Sequence, residues 1–421
     1  MVALLLTWVA PLWGSIPQSL AQMLAAIESD VRRLRELAEK SPATVEFISQ
    51  QEANQRFEQS YAEDSDQERV AQAHLFYWAL DLIERDADLQ ALSLANDQGS
   101  ILGYYNSESK TMTLIQPEKT APHRLTYPQK LIYAHEYAHA LQDQYFDLDA
   151  LRERYRDSTN FDLHLSLTAL IEGDAEFIKL DYALEQWSKN QAAFERDMEA
   201  AENADNSHAE PLDLPTIFDA ISHFLYVVGR EFVTKLWIED GWPGVNRAFR
   251  NRPPTTSEQI YHPMRYLARE EAIVIEAPLL NAQINDGWRL AYYDAVGEFF
   301  LRQHLMTHLS ESAAARLADG WGGDRMLIFS DADNKMIRWV WYQAWDDANE
   351  TKQFASNYPR FLDRRYEKGS EDGRCWVGET AHCFARISET ETRISMAANR
   401  VTALAMLAFD AGAASSPPLT P

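Results

Sequence analysis

The sequence predicts an α+β protein that is predominantly helical. Apolar residues recur at helical spacing over most of the 421 residues, whereas β-prone runs are short and paired, within 101–115 and within 326–342. The chain is long enough for one core and one further lobe. We therefore expect a helical core with a small β-hairpin or sheet, followed by a mostly helical C-terminal lobe.

In the N-terminal part, predicted helices alternate with short strands. An amphipathic helix over 22–39 is followed by a strand at 45–48 and a helix over about 66–85. Residues 101–115 contain two β-prone runs around a polar Asn-Ser-Glu-Ser turn, which predicts a hairpin.

Beyond this part the patterns are mostly helical. Residues 189–211 are acidic and are expected to form a mobile linker, with the run 195–205 as a solvated turn or helix surface. Helical patterns resume over 214–250, and a long helix is predicted to end near His308. A helix over about 346–362 follows the strand pair within 326–342.

These patterns divide the chain into segments with different expected roles. They are a signal peptide (1–21), a core with N-terminal helices (22–188), an acidic linker (189–211), a helical lobe with C-terminal strands (212–395) and a C-terminal helix with a low-complexity tail (396–421). The end of the tail is rich in Ala, Ser and Pro, so we expect it to be disordered.

His135, Glu136 and His139 form the pattern H-E-x-x-H in a predicted helix over 128–144, which the hydroxyl of Thr126 can cap. Residues i and i+4 lie on one helix face, so both imidazoles can bind one metal ion. Glu136 can reach a water in an open coordination position, as in a hydrolytic zinc site. The alternative is a polar helix face with two structural histidines and a solvated glutamate.

A third metal ligand is expected on a later helix, because catalytic zinc usually takes three protein ligands. Gln142 and Tyr145 stand where a metzincin needs Gly and His, which excludes that arrangement. The stretch 167–176 is helical and acidic, and Glu172 is the predicted third ligand. Glu176, one turn further on the same face, is predicted to accept a hydrogen bond from an imidazole N–H. The alternative is an acidic solvated face.

Together these residues resemble the gluzincin type of zincin peptidases, in which the two H-E-x-x-H histidines and a glutamate from a following helix bind zinc. More narrowly, the chain is similar to a group of uncharacterised exported prokaryotic proteins. That similarity covers roughly residues 70–365 and includes the ligand stretches and the segments 253–263 and 320–325. The resemblance implies a zincin-like catalytic core and one catalytic Zn²⁺ bound by the two histidines and Glu172, but it supplies no substrate.

The zinc hypothesis assigns further roles. Glu136 would act as the general base toward a zinc-activated water. Since a hydrogen-bond donor usually shares the oxyanion with the metal, we consider His262 first and Tyr226 second for that role, with His223 as a further candidate. For each of them the alternative is a structural role. The hairpin within 101–115 could hold an extended peptide as an added strand, or it could be an ordinary structural hairpin.

The N-terminus predicts export. Its apolar run is too short to span a membrane but has the length of a signal-peptide core. Ser19-Leu20-Ala21 places small residues before a cleavage point at Gln22. We expect a periplasmic or extracellular protein with no stable membrane span after cleavage. Because no Lys or Arg precedes the apolar run, an uncleaved N-terminal anchor is the alternative; no cysteine lies near residue 21, which excludes a lipoprotein.

Cys375 and Cys383 are the only two cysteines of the chain. A close and even pair in an exported chain predicts one disulfide that closes a hairpin. A zinc role together with His382 is the alternative, but this spacing is poor for zinc.

The net charge of −25 disfavours nucleic acid as a partner, because phosphates would be repelled. We therefore expect an exported zinc metallopeptidase, a hydrolase that acts on a peptide or protein substrate. One alternative is a zincin-fold protein that binds zinc or a partner without turnover. Another is a cell-surface protein whose 12 Trp and 18 Tyr form a sugar-binding groove, although scattered aromatic residues favour core packing.

Overall fold

A computed structural model describes residues 17–63, 67–117, 122–155, 160–208, 214–275, 287–370 and 372–409. The protein is a mixed α+β protein, about 60% helical with small sheets, as the sequence predicts. The helices are α1 (Gln18–Arg35), α2 (Gln50–Glu63), α3 (Gln67–Ala79), α4 (Leu89–Ser100), α5 (Tyr127–Phe146), α6 (Leu148–Glu153), α7 (Phe161–Lys189), α8 (Gln191–His208), α9 (Thr216–His223), α10 (Gly229–Arg250), α11 (Ser257–Tyr261), α12 (Pro263–Ala268), α13 (Gly297–Met306), α14 (Glu311–Ala318), α15 (Ala348–Arg365) and α16 (Arg400–Leu407). The strands are β1 (Thr44–Ser49), β2 (Gly103–Asn106), β3 (Thr111–Gln116), β4 (Arg289–Asp294), β5 (Trp321–Ser330), β6 (Ile337–Trp345), β7 (Cys375–Val377), β8 (Ala381–Arg386) and β9 (Glu391–Ala397).

The chain forms two compact units, each assembled from three stretches. Unit 1 consists of Met1–Ala53, Ile101–Gln144 and Ile178–Ala209, and unit 2 of Asn54–Ser100, Tyr145–Phe177 and Glu210–Pro421. The division falls within α5 and within α7. It therefore differs from the consecutive segments 22–188 and 212–395 that the sequence suggests.

Unit 1 contains a three-stranded sheet in the order β1–β3–β2. Strands β2 and β3 form the predicted antiparallel hairpin, with Gly103 opposite Leu114. Strand β1 pairs in parallel with the other side of β3, where Thr44 lies opposite Thr111. The sequence indicated β1 but not its partner. Because β3 is the central strand, β2 is an edge strand of this sheet.

Within unit 1, polar contacts with α1 hold α5. The hydroxyl of Tyr133 donates to Glu28 at 2.5 Å, and Arg32 donates to the hydroxyl of Tyr137 at 2.9 Å. Both tyrosine side chains are buried, so their hydroxyls need such partners. The apolar face of α1 is buried, as its periodicity predicts: Leu20, Leu24, Ile27 and Val31.

Unit 2 contains a six-stranded antiparallel sheet in the order β4–β5–β6–β9–β8–β7. The sequence predicted β5, β6 and a disulfide-closed hairpin at the two cysteines, which corresponds to β7 and β8, but it did not predict β4 or β9. Strands β4 and β9 are short and carry Arg, Thr and Ser, which weakens their periodicity. Cys375 of β7 lies opposite Cys383 of β8, and a disulfide joins them.

Residues 191–208 of the predicted acidic linker form α8, which agrees with the helical alternative for this stretch. The segment contains Ala, Glu, Gln and Met, which have high helix propensity.

The described part of the predicted signal peptide is helical. The expected cleavage point between Ala21 and Gln22 lies within α1, and Leu20 is buried there. Residues 1–16 and the predicted disordered tail from residue 411 lie outside the described residues. Among the described helices, none combines the length and the apolar character needed to cross a membrane.

Within unit 2, helices α7 and α10 approach each other backbone to backbone. A Cβ atom on Gly173 would lie 2.2 Å from the carbonyl carbon of Gly229. A Cβ atom on Gly229 would lie 2.3 Å from the carbonyl oxygen of Ala169. Helix α10 starts at this contact, directly after a π-helical turn at Phe224–Val228. The crossing thus fixes the part of α7 that carries Glu172, the residue before Gly173.

We predict that Gly173→Ala destabilises the protein. Alanine would stabilise the helix by roughly 1 kcal/mol through its higher helix propensity. Its Cβ atom would, however, push the two packed backbones apart, which costs about 3 kcal/mol. We expect the free energy of unfolding, measured with urea, to fall by about 2 kcal/mol. Gly369→Ala is the control, because the nearest atom to its Cβ is Asp363 Oδ1 at 3.7 Å. Equal stability of the two variants would contradict the close crossing.

Candidate functional site

Helix α5 carries the candidate site on its buried part. The N–H of Thr126 donates to Gln129 Oε1 at 2.8 Å, which closes the first turn. From Leu131 onward most residues of α5 are buried. Buried polar groups require partners, so their contacts define the site. The polar side chains with exposures between 0% and 7% are His135, Glu136, His139, Gln142 and Asp143.

His135 and His139 lie one helical turn apart with their rings nearly perpendicular, at 86°. Their Nε2 atoms are 3.0 Å apart. In a tetrahedral zinc site with Zn–N distances of about 2.0–2.1 Å, two ligand nitrogens lie about 3.3–3.4 Å apart. The two imidazoles therefore need only a small adjustment to bind one ion, as the i,i+4 spacing predicts.

Gln142 is the partner of the other nitrogen of His139. Its Oε1 lies 2.8 Å from His139 Nδ1. An amide oxygen only accepts hydrogen bonds, so this contact requires the proton of the neutral ring to be on Nδ1. The lone pair of His139 then lies on Nε2, the atom that faces His135. This role was not among those predicted from the sequence, although i,i+3 spacing on a helix could have indicated it.

Glu172, the predicted third ligand, is a half-buried residue of α7. Two imidazoles and one carboxylate are a donor set that suits Zn²⁺ and leaves a coordination position for water. The residues thus fit the predicted metal, and the assignment of Glu172 as a ligand stays a prediction.

Glu136 is buried next to the first residue of β2. A Cβ atom on Gly103 would lie 2.7 Å from Ile132 and 3.6 Å from Glu136 Cγ. Only glycine therefore allows this strand to approach α5 so closely. The approach brings an edge strand to the residue that is predicted to be the general base.

Asp143 holds the same hairpin at its other end. The hydroxyl of Tyr105 and the ammonium of Lys110 donate to Asp143 Oδ2 at 2.8 and 2.7 Å. The carboxylate is buried, whereas the lysine is largely exposed. Charge-assisted hydrogen bonds to a buried carboxylate are stronger than exposed ones, so Asp143 fixes the hairpin against α5. The sequence analysis did not identify this residue either.

The remaining predicted site residues lie in other surroundings. Glu176 is half-buried one turn after Glu172, and its contact with an imidazole stays a prediction. Tyr226 lies in the π-helical turn with 40% of its surface exposed, and His223 is exposed at the end of α9.

His262 contacts carboxylates in unit 2. Its Nε2 lies 3.1 Å from Glu298 Oε1 and 3.4 Å from Asp319 Oδ1, and the side chain is 25% exposed. The same Glu298 oxygen accepts a hydrogen bond from Arg302 Nε at 2.9 Å. These contacts support the structural alternative for His262, and its role as an oxyanion donor stays a prediction.

A second cluster of carboxylates in unit 2 has an internal counter-ion. Glu258, Glu270 and Asp346 form a group with the geometry of metal ligands. Arg265 Nη1 contacts a carboxylate oxygen of all three, at 2.7 Å for Glu258 and 2.9 Å for Glu270. Because the guanidinium occupies the centre of this group, the cluster is an ion-pair network rather than a second metal centre.

Buried carboxylates in unit 2 accept hydrogen bonds at the start of α13. Asp324 accepts from the backbone N–H of Val296 at 2.7 Å and from the indoles of Trp321 and Trp341 at 2.9 and 3.1 Å. Burial raises the pKa of Asp324 to about 6, although these bonds lower it. The segment 320–325 therefore acts as a helix cap.

Asp162, near the start of α7, is another buried carboxyl group of unit 2. The backbone N–H of Ser257 donates to its Oδ2 at 2.9 Å. Its Oδ1 has no hydrogen-bond partner among the described residues. Burial raises the pKa of Asp162 to about 8, and the charges of Asp324 and Glu298 raise it further. Asp162 therefore carries a proton in the folded protein at neutral pH.

Comparison with known proteins assigns no function to this site. A family model described as a domain of unknown function (DUF8575) matches residues 288–408. This match extends from the start of the six-stranded sheet to α16 and contains the disulfide. It does not include His135, Glu136, His139 or Glu172. Neither a curated protein nor a solved structure matches the chain.

We predict that the protonation of Asp162 makes stability pH-dependent. The pKa of Asp162 in the folded protein is above the ordinary value of 3.8. The contribution of this side chain to the free energy of unfolding is therefore fully present below about pH 4 and is lost as the pH rises through about 8. The stability of the wild type relative to Asp162→Asn should therefore fall over this range, by an amount on the order of a few kcal/mol. Urea unfolding between pH 5 and 9 measures this difference.

The control for the pH experiment is Asp333→Asn, which removes a carboxylate that is 69% exposed. Its stability relative to the wild type should vary little over the same pH range, because an exposed ion pair contributes little. A wild-type stability that runs parallel to that of Asp162→Asn at all pH values would contradict the prediction.

Proposed function

We propose that this protein is an exported zinc-dependent metallopeptidase that hydrolyses peptide bonds, with Glu136 as the general base. The observation that carries the proposal is the pair of buried imidazoles whose Nε2 atoms lie 3.0 Å apart, one turn apart on α5. Glu172, in the acidic helical stretch 167–176, is the carboxylate that we propose as the third ligand. The apolar N-terminal sequence and the disulfide support export to an oxidising compartment.

The three proposed ligands determine the chemistry that the site can perform. When bound, Zn²⁺ lowers the pKa of a coordinated water and polarises the carbonyl of the scissile bond. His135, His139 and Glu172 would hold the ion and leave one position for the water. A helix that is buried along this stretch keeps the two imidazoles in place before binding.

Glu136 would transfer the proton during hydrolysis. Its carboxylate takes a proton from the attacking water while the C–O bond forms at the carbonyl carbon. It then gives this proton to the nitrogen of the leaving amine as the C–N bond breaks. A buried carboxylate that directly follows the first ligand suits both steps, because little solvent competes for the proton.

Strand β2 would bind the substrate. It is an edge strand of the sheet in unit 1, and its first residue, Gly103, contacts the helix face that carries Glu136. An extended peptide could add to this edge through backbone hydrogen bonds. His262 and Tyr226 remain our candidates for the donor that stabilises the oxyanion.

The proposal is tested by zinc content and proteolysis. We expect wild-type protein to bind about one zinc ion per chain and to cleave casein or a peptide library. Glu136→Gln should retain zinc and lose at least about 100-fold in cleavage rate, because only the proton transfer is removed. His139→Ala should lose both. Mass spectrometry for the metal and a fluorescence assay for cleavage give the two readouts.

Glu202→Gln, which alters an exposed carboxylate on α8, is the matched control and should behave as wild type. Undiminished cleavage by Glu136→Gln would overturn the proposal, since the activity would then come from elsewhere. Zinc binding without cleavage of any tested substrate would favour the alternative, a non-catalytic zinc- or partner-binding protein. Absence of zinc from the wild type would exclude both.

A further inference from the structure

Gln142 is a fully buried polar residue next to the proposed metal ligands. It lies on α5, three residues after His139, with none of its surface exposed. Burying an amide side chain is costly unless its polar atoms are bonded. Its Oε1 is 2.8 Å from Nδ1 of His139, so a buried amide and a buried imidazole satisfy each other.

The chemistry of imidazole makes this contact directional. A neutral ring has one N–H and one lone pair, and a metal takes the nitrogen with the lone pair. When His139 binds through Nε2, its Nδ1 must carry the proton and needs an acceptor. Gln142 Oε1 is such an acceptor, and it adds no charge to the site.

We propose that Gln142 is a positioning residue that sets the tautomer and the ring orientation of His139 for metal binding. This inference rests on the proposed metal site. Gln142 does not contact the metal; it acts through His139. Glu176, which the sequence suggested for such a role, lies on a different helix from the ligand it would orient, whereas Gln142 lies on the same one.

Helix geometry strengthens the inference. Residues i and i+3 are neighbours on a helix surface, so the distance between Gln142 and His139 is set by α5 itself. In the absence of the amide, a metal ion at Nε2 would leave the Nδ1–H buried without its acceptor. That cost applies to the metal-bound form, so it appears as a loss of metal affinity.

Asp143 offers a matched control at the adjacent position. It is also buried, but it accepts hydrogen bonds from Tyr105 and Lys110 rather than from a histidine. Changes at both residues are expected to lower stability, because each removes a partner of a buried polar group. Only a change at Gln142 is expected to alter the metal site selectively.

The experiment compares Gln142→Leu, Gln142→Glu and Asp143→Asn in the full-length protein. Zinc affinity is measured by competition with a chromogenic chelator, and thermal unfolding of the metal-free protein reports on folding. We expect Gln142→Leu to weaken zinc binding by about 10- to 100-fold. Gln142→Glu retains an acceptor for Nδ1–H and should stay within about threefold of the wild type. Asp143→Asn should destabilise the metal-free protein with little change in zinc affinity.

The visible absorption spectrum of the Co²⁺-substituted protein gives a second readout. It reports the coordination geometry, so Gln142→Leu should shift the bands while Asp143→Asn should leave them unchanged. If Gln142→Leu binds zinc as tightly as the wild type, or if all three variants weaken binding equally, Gln142 is only structural and the inference fails. Such results would leave the proposed function intact, which fails instead if the wild type binds no zinc.

If Gln142→Leu does not fold, Gln142→Glu decides the matter. A folded Gln142→Glu protein with wild-type zinc affinity and an unchanged Co²⁺ spectrum supports the inference, because the substitution removes the amide NH₂ group and keeps the acceptor oxygen. A folded Gln142→Glu protein with affinity reduced tenfold or more overturns it.

Discussion

The buried polar face of α5 is the constraint on which the candidate site depends. Two imidazoles, two carboxylates and an amide lie within three helical turns and are nearly inaccessible to water. Polar groups in such a place are stable only when each has a partner. Gln142 therefore meets His139, Asp143 meets the hairpin, and the buried tyrosines of the same helix meet α1. These contacts make the helix rigid before any ion binds.

The same principle explains the polar centre of unit 2. Asp324 accepts hydrogen bonds from Val296 and two indoles, and Asp294 accepts one from the N–H of Phe161 at the start of α7 at 3.1 Å. The segments 253–263 and 320–325 contribute Ser257 and Asp324 to this centre, where both bond to backbone N–H groups or carboxylates at helix starts.

Sequence patterns predicted the elements whose signal is local. Helix α5 and the β2–β3 hairpin were found because apolar spacing, a capping residue and a polar turn lie within a few residues of each other. The cysteine pair indicated the β7–β8 hairpin, whereas β4 and β9 were missed because their stability comes from pairing with neighbours rather than from periodicity. For α8 the acidic composition left a turn and a helix open, and the helix propensity of its residues agrees with the helix.

By itself the sequence determined that His135, Glu136 and His139 share one helix in an order suited to metal hydrolysis, because the i,i+4 relation is a property of the helix alone. It also indicated the cysteine pair. Only the tertiary structure decided that β2 approaches Glu136 at Gly103 and that His262 pairs with Glu298. These contacts join residues that are distant in sequence. They are determined by packing and by the need of buried polar groups for partners, and a local sequence pattern encodes neither.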